Sequence, residues 1–305
     1  MKRKSVLSIW LILFGLALFL LFPEPTQAGG RAGLALCGSV LIPSLFPVSV
    51  LAGCLIQIHT AGSAARLAER GMRTLFGLPG AAALPLLLGL LGGFPLGAQL
   101  AASAYGAGTL TKHDAARLAG LSNQAGPAFL LGAAGTILGS PGVGMTLFCI
   151  QLASAVLTGI LFRASRKASP QIQKSPESSV ASRAAILPKC IADSALAMLR
   201  LTGAVVFFQA VLSCLAAALP FSALPPVIQA ACSGVLELTG GLAALRGIRL
   251  TVLLPLSAGM IGWSGLCVHL QAAQALSGQN IPVQPYLKYK TLQAGISCIL
   301  AAILL

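Results

Sequence analysis

Polar side chains able to hold a small solute stand where an otherwise apolar chain interrupts its helices. Gln99 follows Pro95 by four residues, one turn down the same helix face. Ser122-Asn123-Gln124 precedes Gly126-Pro127 inside an apolar stretch. Further on, Trp263-Ser264-Gly265 is followed by His269 and Gln271, with Glu237, Thr239 and Gln293 near in sequence. Amides and hydroxyls within membrane helices are often interhelical glue, worth about 0.6 kcal/mol each. A set of them clustered at breaks reads differently, because freed carbonyls and half-helix N-termini add ligands for a polar solute. Arg200, Glu237 and His269 are ionisable residues within apolar segments, where such groups are functional candidates. His269 could couple proton movement or be a satisfied buried histidine. Arg200 either pairs with Asp193 or Glu237 or offers its guanidinium to an anion. Lys288 and Lys290, at the mouth of the last apolar stretch, serve as orientation signals or as contacts for an anionic solute.

Catalysis has little to work with. The chain holds six acidic residues and three histidines, and no carboxylate pair, metal-ligand cluster or nucleophile with a base stands out. Lys112-His113-Asp114 reads as a solvated loop, and neither a Walker loop nor a Rossmann glycine pattern is present to bring ATP or NAD. No enzyme, cofactor or metal is therefore expected. The eight cysteines lie in or beside apolar segments without CxxC spacing, and read as packing residues.

The elements that must position these residues are membrane helices. A chain of 305 residues that is 56% hydrophobic and 9% charged, with mean hydropathy +0.89, is a polytopic membrane protein. Apolar stretches near the length of about 20 residues needed to span occur near 7–22, 34–57, 118–138, 143–162, 195–219, 227–245 and 287–305, with interrupted hairpins expected near 78–108 and 251–278. The interruptions are the informative part. Gly92-Gly93-Phe94-Pro95 cannot continue a helix smoothly, since glycine is conformationally loose and proline lacks a donor. Freed backbone groups at membrane depth must face protein or a wet cavity, so broken helices line sites. Gly126-Pro127, Gly240, Gly262 and Gly265 are read as breaks of the same kind, and Pro43 with Pro47 should kink or unwind the second span. Leu84-Pro85-Leu86-x-x-Gly89-x-x-Gly92 reappears as Leu254-Pro255-Leu256-x-x-Gly259-x-x-Gly262, shifted by 170, and Gln124-Ala125-Gly126 meets Gln293-Ala294-Gly295 at 169. That register suggests an internal duplication.

Four parts follow: an anchor span with an external loop (1–33), a first repeat (34–162), a basic linker (163–189) and a second repeat (190–305). The net charge of +14 lies mainly in short loops, where positive residues set orientation, and does not point to nucleic acid. Lys2-Arg3-Lys4 places the N-terminus in the cytoplasm; the same stretch also fits a cleaved signal peptide, since Thr26-x-Ala28 imitates a cleavage site. Ala64–Leu75, with Arg66, Arg70 and Arg73, fits an interfacial amphipathic helix. Orientation of the repeats hinges on Val227–Leu245. If it crosses the membrane the halves are parallel; if it is interfacial or re-entrant they are inverted, the commoner transporter solution, and Glu237 with Gly240-Gly241 argues against a clean span. The expected partners are a small solute and the lipid bilayer, with a homo-oligomer left open.

Several motifs occur in a familiar order. Pro43-Ser44-Leu45-Phe46-Pro47, Gly92-Gly93-Phe94-Pro95-Leu96-Gly97-Ala98-Gln99, Asn123-Gln124-Ala125-Gly126-Pro127-Ala128-Phe129, Glu237-Leu238-Thr239-Gly240 and Gly265 through His269 to Gln271 resemble the sporulation integral membrane protein YlbJ (SpoVV) family. The resemblance implies the nucleoside-recognition gate domain shared with concentrative nucleoside transporters, hence an all-α membrane fold of two related halves with re-entrant or broken helix hairpins. It also implies passage of dipicolinic acid across the outer forespore membrane, with a nucleoside transporter or a non-transporting scaffold of a sporulation complex as alternatives. Two departures matter: the family tends to carry asparagine where Gln124 stands and often lysine where Gln99 stands, which moves anion recognition to Arg200, Lys288 or Lys290. The chain is also short beside the family, stopping at Leu305 directly after its last span. In this reading Gln99, Asn123, Gln124, Arg200, Glu237, Thr239, Ser264, His269, Gln271 and Lys290 bind the solute.

Overall fold

A computed structural model describes residues 2–59, 63–165, 185–219 and 223–305. The basic linker's centre thus lies outside the described residues. The protein is an all-α polytopic membrane protein, with no strand among the described residues. Large apolar side chains such as Trp10, Leu20, Leu199, Phe207 and Ile299 remain outward, an arrangement that lipid satisfies and water does not. Pro141–Leu161, Ile186–Ala218 and Leu250–Ser277 are each long and apolar enough to cross a membrane, and two further helix pairs reach that length only when taken together across a sharp bend.

The chain opens with α1 (Lys2–Leu21), turns through 101° at Phe22 and continues as α2 (Pro23–Leu36). The external loop expected over Pro23–Gly30 is therefore helix. Its cause is close packing: a methyl on Gly29 or Gly33 would stand 2.7 Å from Ala210 Cα or 2.8 Å from Val206 Cα, so the missing side chains let two backbones meet. A π-turn over Cys37–Leu41 joins α2 to α3 (Ile42–His59). Pro43 and Pro47 do not break this span as expected; one wide turn just ahead of them absorbs the distortion while the chain stays helical.

Helix α4 (Ser63–Phe76) is the amphipathic segment the arginines predict, with Arg73 paired to Glu69 and Leu67 outward. A bend of 93° leads through Gly80–Ala82 into α5 (Ala83–Gly92), and α6 (Leu96–Gly106) doubles back on it. The doubling is visible at Gly89, where a methyl would stand 2.8 Å from Gly97 Cα, a contact that an unbroken helix forbids. Gly93, at φ 80°, makes the tip. Helix α7 (Lys112–Ser122) starts on Thr111, whose hydroxyl accepts from the Asp114 amide. It gives way to an extended stretch over 123–126, and the chain then resumes as a π-helical segment (Ala128–Ala134) and α8 (Gly135–Ile137). Helix α9 (Pro141–Leu161) returns. Buried Arg117 donates to the carbonyls of Phe76, Gly77 and Phe162, tying the ends of α4 and α9 to α7.

The second part begins with α10 (Ile186–Ala218), the 33-residue helix against which α2 and α3 lie antiparallel, Gly33 beside Val206 and Gly53 beside Cys190. Next, α11 (Pro226–Leu236) and α12 (Leu238–Ala244) fold back at Glu237, with Gly241 so close to Gly234 that a methyl would stand 2.4 Å from its Cα. Val227–Leu245 is thus a re-entrant hairpin rather than a crossing. Arms of 7 to 11 residues reach about half the hydrocarbon thickness. Helices α13 (Leu250–Trp263) and α14 (Leu266–Ser277) follow, and α15 (Gln284–Ile303) packs back against α13.

The interrupted hairpin expected over 251–278 is instead one through-running span of 28 residues, broken but not reversed at Ser264–Gly265. Gly262 lies inside α13 and serves close packing, a methyl there standing 2.9 Å from Ala294 Cα. Gly240 is likewise helical, the third residue of the turn that Glu237 caps. The shift of 170 accordingly pairs a hairpin arm (α5) with half of a crossing span (α13). Like elements correspond differently: in each part a hairpin precedes a broken span and rests its tip on that span's break. Gly93 meets the Gly126 amide, and Gly265 meets the peptide groups of Leu236 and Leu238.

Candidate functional site

The predicted polar residues divide between two places. The first is a cleft of about 770 Å³ among α3, α6, α10 and α14. Its walls are helical stripes. Lys189, Asp193 and Arg200 fall on one face of α10, Gln99 and Ser103 one turn apart on α6, and Gln271 and Gln274 one turn apart on α14. Pro95 and Leu96 are among the lining residues, so the cleft borders the first hairpin's tip. This size suits a small molecule, and the lining is unusually rich in amides and charge for a space among membrane helices. Arg200 makes no ion pair among the described residues, neither with Asp193 nor with Glu237. Gln271 spends one amide proton on Cys267 Sγ at 3.3 Å and retains its carbonyl.

The second place is closed. Asn123 and Gln124, in the break of the first span, face α9 and α15. Gln124 and Gln293 exchange hydrogen bonds, Nε2 to Oε1 at 3.1 Å one way and 2.8 Å the other. Gln151 Nε2 adds a third contact to Gln124 Oε1, and Ser154 joins Gln293 at 3.3 Å and Ser297 at 2.8 Å. Lys290 is completely buried, not at a mouth as expected; its position on α15 points it inward at the break. Asn123 Nδ2 donates to Tyr286 OH at 3.2 Å, and the same phenol lies 3.0 Å from His269 Nδ1, while His269 Nε2 is buried without a hydrogen-bond partner among the described residues. Trp263 packs its ring edgewise on His269, the centroids 4.4 Å apart.

Helix α14 separates the two. His269 and Gln271, two residues apart on a helix, point to nearly opposite sides, one into the closed network and the other into the cleft. Glu237 belongs to neither. Its carboxylate accepts from the amides of Thr239 at 2.9 Å and Gly240 at 2.8 Å and from Gln209 Nε2 at 3.2 Å, which makes it the N-cap of α12. Thr239 contributes that amide, and Ser264 Oγ donates to Ile261 O within its own turn. Sequence reasoning missed Gln151, Ser154, Tyr286 and Ser297, which sit in unbroken helices with nothing local to mark them, and Gln274, whose signal is its one-turn spacing from Gln271.

With this geometry in view, similarity to known proteins can be weighed. No protein-family model matches the chain, and no solved structure matches it. Among curated proteins it is similar to the sporulation integral membrane protein YlbJ of Bacillus subtilis (strain 168), 30% identical over 132 residues. The matched stretch is 43% of this chain and 32% of YlbJ, so the likeness spans about a third of that protein's length. On this likeness and its apolar helices together, the protein is an integral membrane protein.

The reciprocal amide pair of Gln124 and Gln293 yields a direct test. Gln293→Leu removes both bonds of the pair and one of the three oxygens on the buried Lys290 ammonium, and the expected loss of stability is about 1–3 kcal/mol. Gln124→Leu combined with it should cost clearly less than the sum, because each single variant already breaks the same bonds. Thermal denaturation of the two single variants and the double variant checks this.

Proposed function

We propose that the protein is a transporter that carries a small, polar, anionic aromatic solute through the cleft by alternating access. The observation that carries this reading is Arg200, a guanidinium without an ion pair among the described residues, facing a space of about 770 Å³ that borders a re-entrant hairpin tip. Lys189 adds a second cation against the one carboxylate of Asp193, which favours carboxylate-bearing solutes. Gln99, Gln271 and Gln274 would fix the ring's orientation, and the tip at Gly93–Pro95 would be the barrier that moves. Likeness to a protein named for sporulation supports dipicolinic acid as the solute and the outer forespore membrane as the location. The same amides would also suit a nucleoside, the second reading.

Uptake of labelled dipicolinate and of uridine into proteoliposomes separates these readings. Dipicolinate accumulation without uridine accumulation is the expected result, uridine alone favours the nucleoside reading, and uptake of neither leaves a membrane scaffold.

Topology gives a second test. Three crossings, 112–137, α9 and α10, lie between the two hairpins, so in this reading the hairpins enter from opposite faces. With 163–189 cytoplasmic, a cysteine replacing Arg246 or Arg249 in a cysteine-free background should react with an impermeant maleimide added outside intact cells. Labelling only after lysis would reverse the second hairpin and sink the inverted arrangement.

A further inference from the structure

Lys290 is an ammonium group with no exposure and no carboxylate bonded to it among the described residues. Its three hydrogen bonds go to neutral oxygens: Asn123 O at 3.2 Å, Gln124 Oε1 at 3.2 Å and Gln293 Oε1 at 3.0 Å. Two more oxygens of the same amide cluster, Asn123 Oδ1 and Gln151 Oε1, are buried without a hydrogen-bond partner. Neutral carbonyl oxygens gathered at membrane depth replace the hydration shell of a monovalent cation. Calcium and magnesium draw on carboxylates, and transition metals on thiolate or imidazole; neither kind of group contacts this ammonium. The oxygen set therefore has the composition of an alkali-ion or ammonium site, and a side chain already fills it.

We propose that the oxygens around Lys290 form a monovalent-cation site that the chain occupies with its own tethered ammonium. The site joins three elements, the break after α7, α9 and α15, so a cation there holds the first broken span against the second part of the molecule. Because the cation is covalently held, the junction needs no sodium or potassium from solution. Removing the ammonium and its stem leaves the oxygens facing a vacated space that a small free cation fits. This inference stands whether or not the cleft carries a solute.

The experiment compares the melting temperature of the purified full chain in choline, sodium, potassium and ammonium chloride at equal ionic strength. Wild type should melt at one temperature in all four. Lys290→Ala should melt at least about 5 °C lower in choline chloride and regain stability in one or more of the small-cation salts, since a ligand that binds only the folded state raises its melting point. Lys290→Met, which fills the volume without a charge, should stay low in every salt. If Lys290→Ala holds together only in a small-cation salt, loss of folded protein on exchange into choline is the same result. The proposal is overturned if Lys290→Ala melts alike in all four salts, if it folds in none of them, or if wild type itself gains stability from sodium or potassium.

Discussion

Arg200→Ala is expected to raise the KM for dipicolinate uptake about 10- to 100-fold, the equivalent of one charge-assisted hydrogen bond of about 1.5–3 kcal/mol. The effect is expected because the guanidinium lines the cleft and makes no ion pair among the described residues. Arg200→Lys should recover only part of the loss, since a point charge cannot grip a carboxylate with two parallel bonds. Lys189→Ala offers the contrast: its ammonium is a point charge near the start of α10 that cannot grip a carboxylate with two parallel bonds, and a smaller change is expected. Concentration-dependent uptake of labelled dipicolinate by proteoliposomes measures all three. An unchanged KM for Arg200→Ala would take the cleft out of the solute's path.

Gly97→Val should prevent accumulation of folded protein. A methyl at Gly97 would already stand 2.3 Å from the Ser122 carbonyl carbon and oxygen and 2.5 Å from the Asn123 amide nitrogen, all backbone atoms that cannot swing aside. Overpacking of this kind costs about 3 kcal/mol or more, and here it would pry the first hairpin from the break it rests on. Gly203→Ala is the control, because nothing lies within 4 Å of a methyl there. Size-exclusion profiles and melting curves of the detergent-solubilised variants decide the matter: a monodisperse Gly97→Val of wild-type stability would mean the contact is not part of the fold in the membrane.

How much of this was legible in the sequence depends on the range of the interaction. Breaks fixed by local backbone chemistry were readable: Gly93 and Pro95 end one helix and start the next, and Gly126-Pro127 closes an extended stretch. Pro43 and Pro47 misled because a π-turn can absorb a missing donor without unwinding, and only the packing against α10 selects that outcome. The Leu-Pro-Leu-x-x-Gly-x-x-Gly pattern is a signature of close helix approach; Gly89 meets α6 while Gly262 meets α15. Two unlike elements can share it for the same physical reason. The polar set was found residue by residue, yet its division was not, because whether a glutamine faces a cleft or another glutamine depends on helices more than a hundred residues away. Glu237 shows the limit most plainly. An acid in an apolar stretch reads as a ligand until the hairpin places three donors around its carboxylate.

A cleft that borders a hairpin tip would also reshape the electric field across the bilayer. In the transporter reading, water and ions in it would carry the potential of one compartment inward, and most of the voltage would fall over the protein beyond Pro95. An anion crossing that stretch would do nearly all its electrical work in one step, about 2.3 kcal/mol per charge for each 100 mV.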